Sequence, residues 1–375
     1  MEQVLYSLPA GWEWSSFDYI FSTKGFSVGK VKSSEVSHEG LVPVVDQSQI
    51  FIAGYSDCVE QTFSGKLPVL IYGDHTNCVK FVDFEFICGA DGTKVLAIED
   101  NIHPKYAFYL LSKFRPETQG YRRHFSLLKK MFLPVPPPDE QKRIVEKLDA
   151  LLTRIDTAIE HLHSKLDLSK QLFDSILDEF FKLPECDAVP LTEVVDFIGG
   201  SQPPKSQFSD IQKEGYVRLI QIRDYKSDNY IVYVDSASTK KFCTKDDVMI
   251  GRYGPPVFQI LRGLDGAYNV ALMKAVPNED VLTKDYLFWF LQSPSIQNYV
   301  IGISQRAAGQ SGVNKKALEK YLIPVPSKTM QNNIVDKVGQ LVSKSRDLEA
   351  EVTAEIASLN QLKASILDSA FKGEL

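Results

Sequence analysis

Several short stretches of this 375-residue chain gather residue types that enzymes use, and each lacks a necessary partner. Tyr253-Gly254-Pro255-Pro256-Val257 has the two prolines with which adenine methyltransferases brace a flipped base. It has neither the acidic residue or Asn before them nor the aromatic after them. A nuclease core needs Pro-Asp on one strand and Glu-x-Lys on another to hold magnesium. Here Pro138-Asp139 and Glu140-Gln141-Lys142 are contiguous at a helix start. Phe197-Ile198-Gly199-Gly200-Ser201 misses the second spaced glycine of a nucleotide loop. Gly73-Asp74-His75-Thr76 suggests general-base chemistry, but no partnered nucleophile accompanies it, and a tight polar turn accounts for it. Gly89-Ala90-Asp91-Gly92 suits a turn of the same kind. Cys58, Cys78 and Cys88 lack zinc-ligand spacing, and His161 and His163, two apart on a helix, lie on different faces. What remains is binding, with no catalytic residue, metal or cofactor of the chain's own.

The residues suited to binding are basic and polar. Arg122, Arg123, His124, Lys129 and Lys130 cluster before residue 134, and Lys315, Lys316 and Lys320, with Arg306 upstream, occupy the corresponding place later in the chain. Arg218, Gln221, Arg223, Arg252 and Tyr253 fall at predicted strand ends. Ser201-Gln202-Pro203-Pro204-Lys205 and Gln310-Ser311-Gly312-Val313-Asn314 are loops rich in donors. Arg reads guanine and Asn or Gln reads adenine in the major groove, while Lys mainly meets phosphate. The net charge of −6 argues against a nonspecific polyanion coat and leaves room for local basic surfaces. By segment the balance is 13 basic to 15 acidic in 1–133 and 16 to 16 in 184–323.

Those residues need a frame, and the frame is a repeat. Residues 134–182 align with 324–372 at an offset of 190 without a gap, and 16 of the 49 pairs are identical. Pro134-Val135-Pro136 matches Pro324-Val325-Pro326, Gln141 matches Gln331, and Ser175-Ile176-Leu177-Asp178 matches Ser365-Ile366-Leu367-Asp368. A 4-3 spacing runs through Leu148, Leu152, Ile155, Ile159, Leu162, Leu166, Ser169, Phe173, Ile176 and Phe180, the pattern of a coiled-coil seam. Val338, Val342, Val352, Ile356, Leu359, Ile366 and Ala370 hold the same register in the second copy. Ser345, Glu349 and Lys363 interrupt it, and Leu341, Leu348 and Leu362 offer substitutes. Pro136-Pro137-Pro138 cannot sit inside a helix, so Asp139 is expected as its cap. From there to Lys182 is 44 residues, about 65 Å of helix. A rod of that length cannot bury one stripe alone, and its nearest equivalent partner is the other copy, which predicts an intramolecular antiparallel pair.

Between the rods lie segments of similar size with different interiors. Strands are predicted at Leu67 to Tyr72, Val79 to Ile87, Tyr216 to Ile222, Tyr230 to Val234 and Val248 to Tyr253. Short amphipathic helices follow at Lys105 to Phe114 and Lys284 to Gln292. The hydrophobic fraction of 44% and charged fraction of 24% exclude bulk disorder. No apolar run approaches the roughly 20 residues that cross a bilayer. The opening residues lack the basic start and apolar stretch of a signal peptide, and five scattered cysteines fit a reducing cytoplasm. A cytoplasmic protein without membrane contact is expected.

Two variable globules alternating with two repeated long helices resemble the specificity subunit of Type I restriction-modification enzymes. The resemblance spans essentially the whole chain. It is carried by Leu133-Pro134-Val135-Pro136-Pro137-Pro138-Asp139-Glu140-Gln141-Lys142-Arg143-Ile144 and by the closing Ser365-Ile366-Leu367-Asp368-Ser369-Ala370-Phe371-Lys372-Gly373-Glu374-Leu375. Gly73-Asp74-His75-Thr76 and Gly89-Ala90-Asp91-Gly92-Thr93-Lys94 resemble phrases of that family's target-recognition domains. Lys328-Thr329-Met330-Gln331 departs from the family's Pro-x-Glu-Gln run, which weakens the expected cap of the second helix.

The resemblance implies an α+β chain in which two globular α/β target-recognition domains are separated by two long antiparallel α-helices. These form an intramolecular coiled coil, with a pseudo-two-fold repeat. The segments are 1–133 and 183–323 for the recognition domains, 134–182 and 324–375 for the helical spacers. Each domain would read one half of a bipartite, asymmetric site in double-stranded DNA. The expected contacts are Arg122, Arg123, His124, Lys129, His75 and Thr76 in the first domain. In the second they are Ser201, Gln202, Lys205, Arg218, Gln221, Arg223, Arg252, Tyr253, Arg306, Gln310, Ser311, Asn314 and Lys315. The helices would set the gap and dock two methyltransferase subunits, and through them the restriction and translocase subunits. S-adenosylmethionine, ATP and magnesium would belong to those partners. Two other readings fit the residues: the recognition part of a Type II-like fused restriction-methyltransferase, and a coiled-coil scaffold whose heads bind proteins.

Overall fold

The structure is a computed structural model that describes residues 5–89, 92–116, 123–306 and 312–375, with Gln305 and Arg306 described by their backbone alone. The chain forms two compact units, Met1–Leu162 with Thr353–Leu375, and His163–Val352. The division falls part-way along both long helices, Pro138–Glu179 and Lys328–Lys372, here called the first and second rods. Each unit therefore contains one head, the start of the rod that follows it, and the end of the other rod.

In the first unit, Glu13–Ser16 pairs antiparallel with Phe132–Val135 and closes head 1 on its own two ends. One four-stranded sheet runs in the order Phe21–Ser22, Thr93–Ile98, Val69–Gly73, Val79–Val82, all neighbours antiparallel. Val69–Gly73 is buried along its whole length, which its unbroken apolar run requires. A second sheet runs in the order Lys30–Val31, Ile87–Gly89, Val42–Val45, Gly54–Ser56. Helix Pro104–Lys113 buries Tyr106, Ala107, Leu110 and Leu111 along one face. The core joins these to Ile144, Leu148 and Leu152 of the first rod and to Ala370 and Phe371 of the second. Asp156 of the first rod forms an ion pair with Lys363 of the second. The rods thus pass in opposite directions within this unit.

The second unit repeats the scheme. Ala188–Pro190 pairs with Leu322–Pro324, and the first sheet has the same order: Val195–Gly199, Leu272–Pro277, Val248–Gly251, Gln259–Leu261. The second sheet runs Tyr233–Asp235, Tyr216–Ile220, Gly266–Tyr268, Phe242–Cys243. Its central parallel pair and flanking hairpin match those of head 1. The fourth strand does not. Lys30–Val31 joins head 1 parallel and precedes the hairpin, whereas Phe242–Cys243 joins head 2 antiparallel and follows it. Leu177 of the first rod, Phe181 just beyond its end, and Ile334 and Val338 of the second rod complete this core, again antiparallel.

Head and rod are joined the same way in both units. Gln141, 1% exposed, accepts the His103 N–H at 2.7 Å and donates to the carbonyls of Pro136 at 3.0 Å and Asn101 at 3.4 Å. Gln331, fully buried, accepts the Thr283 N–H at 2.8 Å and donates to Pro326 at 2.9 Å and Val281 at 2.7 Å. Tyr106 donates to the Pro134 carbonyl at 2.8 Å and Tyr286 to that of Pro324 at 3.0 Å. The ring of Phe371 packs edge-on against Tyr106, and that of Phe181 against Tyr286.

Some sequence expectations change. The first rod begins at Pro138, so Asp139 lies inside its first turn and does not cap it. Proline is tolerated there because the missing N–H would have had no acceptor. The rod ends at Glu179, short of Lys182. The second rod, which lacks the expected run, is opened by Ser327, whose hydroxyl accepts the Met330 N–H at 3.3 Å. The stretch from Val79 to Ile87 is two strands, Val79–Val82 and Ile87–Gly89, interrupted at 83–86. Of the seam residues, Leu148, Leu152, Ile155, Val338 and Val352 are buried. Ile159, Leu162, Leu166, Phe173, Ile176, Val342, Ile356, Leu359 and Ile366 are half-buried. Leu341 and Leu348 share that stripe, while Leu362 stays 48% exposed.

One charged group ties head 2 together: Asp247 meets Lys284 at 2.9 Å and Lys274 at 3.1 Å. Burial alone would raise its carboxyl. The Thr244 amide and the two ammonium groups outweigh that and hold it at about 2. A folded value below the unfolded one of about 4 contributes stability that is complete above that pH and lost as pH falls through 2. Asp247→Asn should therefore cost about 2 kcal/mol near neutrality, with the difference from the parent shrinking between pH 4 and 2 in urea titrations. Gln331→Leu should leave an amide and two carbonyls without partners and lower the urea midpoint by an amount worth about 1–3 kcal/mol.

Candidate functional site

In head 1 the polar connection after Gly73 meets Gly92, while Ala90 and Asp91 of the second expected turn lie outside the described residues. The hairpin connection after Gly73 folds as a turn, with the Asn77 N–H donating to the Gly73 carbonyl at 2.9 Å. The Asp74 N–H donates to the Gly92 carbonyl at 2.7 Å, and the Asp74 carboxylate accepts the Phe125 N–H at 2.8 Å. Asp74 thus caps the short helix Phe125–Leu128 and ties it to the 73–77 turn and to Gly92, which explains Gly73-Asp74-His75-Thr76 without general-base chemistry. Gln47, from the connection after Val42–Val45, accepts the His75 N–H at 3.2 Å on its side chain. Its carbonyl accepts the Thr76 hydroxyl at 2.5 Å. A Cβ on Gly92, whose φ is +77°, would lie 2.5 Å from the Gln47 amide nitrogen, so this approach needs glycine.

This lacing brings His75, Thr76, Arg123 and Lys129 onto connected elements. The ammonium groups of Lys129 and Lys94 lie 5.9 and 5.7 Å from the centre of the Phe125 ring. Arg123, Thr76, Lys129 and Lys130 are exposed and His75 half-exposed. His124 is a correction. It is 1% exposed, and its Nδ1 lies 3.1 Å from the Asp74 carbonyl, so its ring faces inward and offers nothing to a duplex. Arg122 lies outside the described residues.

Head 2 assembles its surface differently. Arg218 meets Asp228 at 2.8 Å and Asp224 at 3.8 Å. Burial raises the Asp224 carboxyl, against the Gln221 amide, Arg218 and Arg223, which lower it. Arg223 stacks over the exposed Tyr230 ring at 5.2 Å, and Arg252 over Tyr253 at 5.3 Å. Arg252 also donates to the Val270 carbonyl at 3.3 Å. Ser201 shares a 2.7 Å hydrogen bond with Thr239, while Gln202 and Lys205 are exposed nearby in sequence. The Gln221 N–H is held by Asp224 at 3.0 Å. Asn314 caps the helix Lys315–Glu319 through Ala317, and Lys315 reaches the Phe197 carbonyl at 2.9 Å. Gln310, Ser311 and the Arg306 side chain lie outside the described residues.

The two heads place different residues at one position of a shared sheet. His75 and Thr76 sit on the connection that leaves Val69–Gly73 for Val79–Val82, and Arg252 and Tyr253 on the one that leaves Val248–Gly251 for Gln259–Leu261. Sequence alone could not align them, since the connections share little beyond the leading glycine. Among the described residues no group of three or more His, Cys, Asp or Glu side chains is placed to hold a metal, and no helix is long and apolar enough to cross a membrane.

Two α/β heads on a repeated pair of rods, each presenting basic and polar connections, define a double-headed binding protein. Residues 32–166 and 185–358 each match the family described as the Type I restriction modification DNA specificity domain, and the chain belongs to that family. The specificity subunit of the Type I restriction enzyme EcoBI of Escherichia coli is 27% identical over 327 residues, covering 75% of this chain and 68% of that one. The Escherichia coli EcoR124I/EcoR124II specificity subunit is 23% identical over 349 residues, 87% and 85% of the two chains. Solved structures share the fold. A chain from work on complex assembly and conformational transition of the type I R-M system superposes with a TM-score of 0.74 at 21% identity, covering 99% of this chain and 100% of that one. The HsdS subunit from Thermoanaerobacter tengcongensis gives 0.50 at 21% identity, covering 99% of each chain.

Proposed function

We propose that this chain is the DNA-specificity subunit of a Type I restriction-modification complex. Each head reads one half of a bipartite, asymmetric site, and the rods, each continuous from one unit into the other, set the length of unread sequence between the halves. The observation that carries this is the doubled head-and-rod unit, matched twice by one family of DNA specificity domains. The chain supplies no catalytic group. Two methyltransferase subunits dock on the rods, the restriction and translocase subunits join through them, and S-adenosylmethionine, ATP and magnesium are theirs. Leu168 and Leu172, 64% and 61% exposed on the first rod, lie one turn apart and give a partner helix an apolar strip. With a net charge of −6, the chain relies on its partners for part of the grip on phosphate.

Expression with its methyltransferase partner, followed by long-read methylation mapping, should yield one motif of two defined halves separated by a fixed unread gap. A continuous motif, or none, would refute the proposal. In the assembled complex, Arg123→Ala with Lys129→Ala should weaken duplex binding and reduce the slope of log affinity against log salt by about 2, since each lost phosphate contact releases fewer counterions. An unchanged slope would mark both side chains as solvated surface.

A further inference from the structure

The connection between the hairpin strands of the second sheet differs in sequence between the heads but occupies one place. In head 2 it is 221–232, carrying Gln221, Arg223 and Tyr230; in head 1 it is 46–53, Asp46-Gln47-Ser48-Gln49-Ile50-Phe51-Ile52-Ala53, with no Arg or Lys. The match holds residue by residue at its start. Val45 and Ile220 are the last strand residues paired with the parallel neighbour. Two residues on, Gln47 and Ile222 each sit against the glycine that ends the adjacent sheet's hairpin strand. A Cβ on Gly73 would meet the Gln47 Cβ at 3.0 Å, and one on Gly251 would meet the Ile222 Cδ1 at 3.3 Å.

The two connections are anchored by different chemistry at one strand position. Lys80 pairs with Ile71, two residues before Gly73, and Leu261 pairs with Met249, two before Gly251. In head 2, Leu261 packs with Ile222 and Tyr225 against the Met249 cluster. In head 1, Lys80 is 4% exposed and directs its ammonium into the connection, donating to the carbonyls of Asp46 at 2.8 Å, Ile50 at 2.6 Å and Phe51 at 3.4 Å. The Asp46 carboxylate lies 3.6 Å away. An ammonium has three donors and here has three carbonyl acceptors. Burial lowers its pKa and Asp46 opposes that. The backbone is gathered inward, Gln47 is used to hold the 73–77 turn, and Gln49 and Ile50 point outward, Ile50 being 69% exposed.

We infer that residues 48–51 form a base-reading segment of head 1, held in place by Lys80 as a positioning residue. Gln49 is the group suited to an adenine edge and Ile50 the one suited to a thymine methyl. The inference rests on the proposed specificity role and adds to it a segment without cationic side chains, equivalent in place to 221–232.

The test uses the full chain with its methyltransferase subunits, assaying methylation of duplexes that carry single base changes in either half-site. Gln49→Ala with Ile50→Ser, two surface changes, should lower discrimination in one half-site by about tenfold and leave the other half intact. Lys80→Met should relax that same half, and Arg223→Ala the opposite one. Undiminished discrimination in both halves for the Gln49/Ile50 pair would overturn the inference, as would relaxation of the same half by that pair and Arg223→Ala. If Lys80→Met abolishes methylation everywhere, head 1 has misfolded and the surface pair decides. If the parent complex shows no bipartite motif at all, the specificity role itself falls and this assignment with it.

Discussion

A single buried glutamine fastens each head to the rod that follows it, and the rest of each unit is arranged around that joint. The N-terminus of a helix presents N–H groups with no acceptor inside the helix, and a Pro-Val-Pro turn presents carbonyls with no donor alongside. Gln141 and Gln331 satisfy both needs from within the core, accepting from the start of the head's amphipathic helix and donating to the turn that opens the rod. A buried amide missing one partner would cost more than its remaining bonds return, so the three groups keep one geometry. Tyr106 and Tyr286 add a bond from the same helix to the same turn. The head cannot swivel on its rod without breaking several buried polar contacts at once.

The rods were legible because periodicity and repetition both report on long, regular elements. The joint was half-legible. The identity of Gln141 with Gln331 stood out, but that both are acceptors for a helix N-terminus depends on the folded head. The sheets were poorly legible. Their strands are two to six residues long, and runs such as Val69–Gly73 are buried on both faces, which erases alternation. The candidate site is marked in the sequence where it is cationic and unmarked elsewhere. Adjacency to Arg123 made His124 look like surface, though the Asp74 carbonyl turns its ring inward. The connection at 46–53 carries no charge pattern at all beyond Asp46, and only Lys80, some thirty residues on, reveals that its backbone is held.

The heads show what a duplicated fold must keep and what it is free to change. The first sheet keeps its strand order because one of its faces buries the core against the rods, and the second keeps its parallel pair and hairpin, which pack on the first sheet's other face. The outer strand adds only Val31 to the core of one head and Cys243 to that of the other. It is free to arrive from either side of the hairpin in sequence, parallel in one head and antiparallel in the other. The connections at the open end diverge furthest, since their burial demands are met by whichever residue fills one strand position, Lys80 in one head and Leu261 in the other.

That substitution has an energetic logic. A buried ammonium is costly unless every donor is used, so Lys80 is tolerable only with the carbonyls of Asp46, Ile50 and Phe51 in place, and those carbonyls are in turn fixed by it. Head 2 reaches a comparable rigidity by packing Ile222 and Tyr225, and then restrains its charged side chains separately, Arg218 by Asp228 and Arg223 by the Tyr230 ring. In both cases the ordering is done before any ligand arrives, so less rotamer and loop entropy remains to be lost on association. Discrimination between similar bases is a difference of one or a few hydrogen bonds, and a loosely held side chain can shift to recover a wrong contact. Groups held in advance cannot, so under the proposed reading the anchoring residues should bear on selectivity as much as the exposed ones.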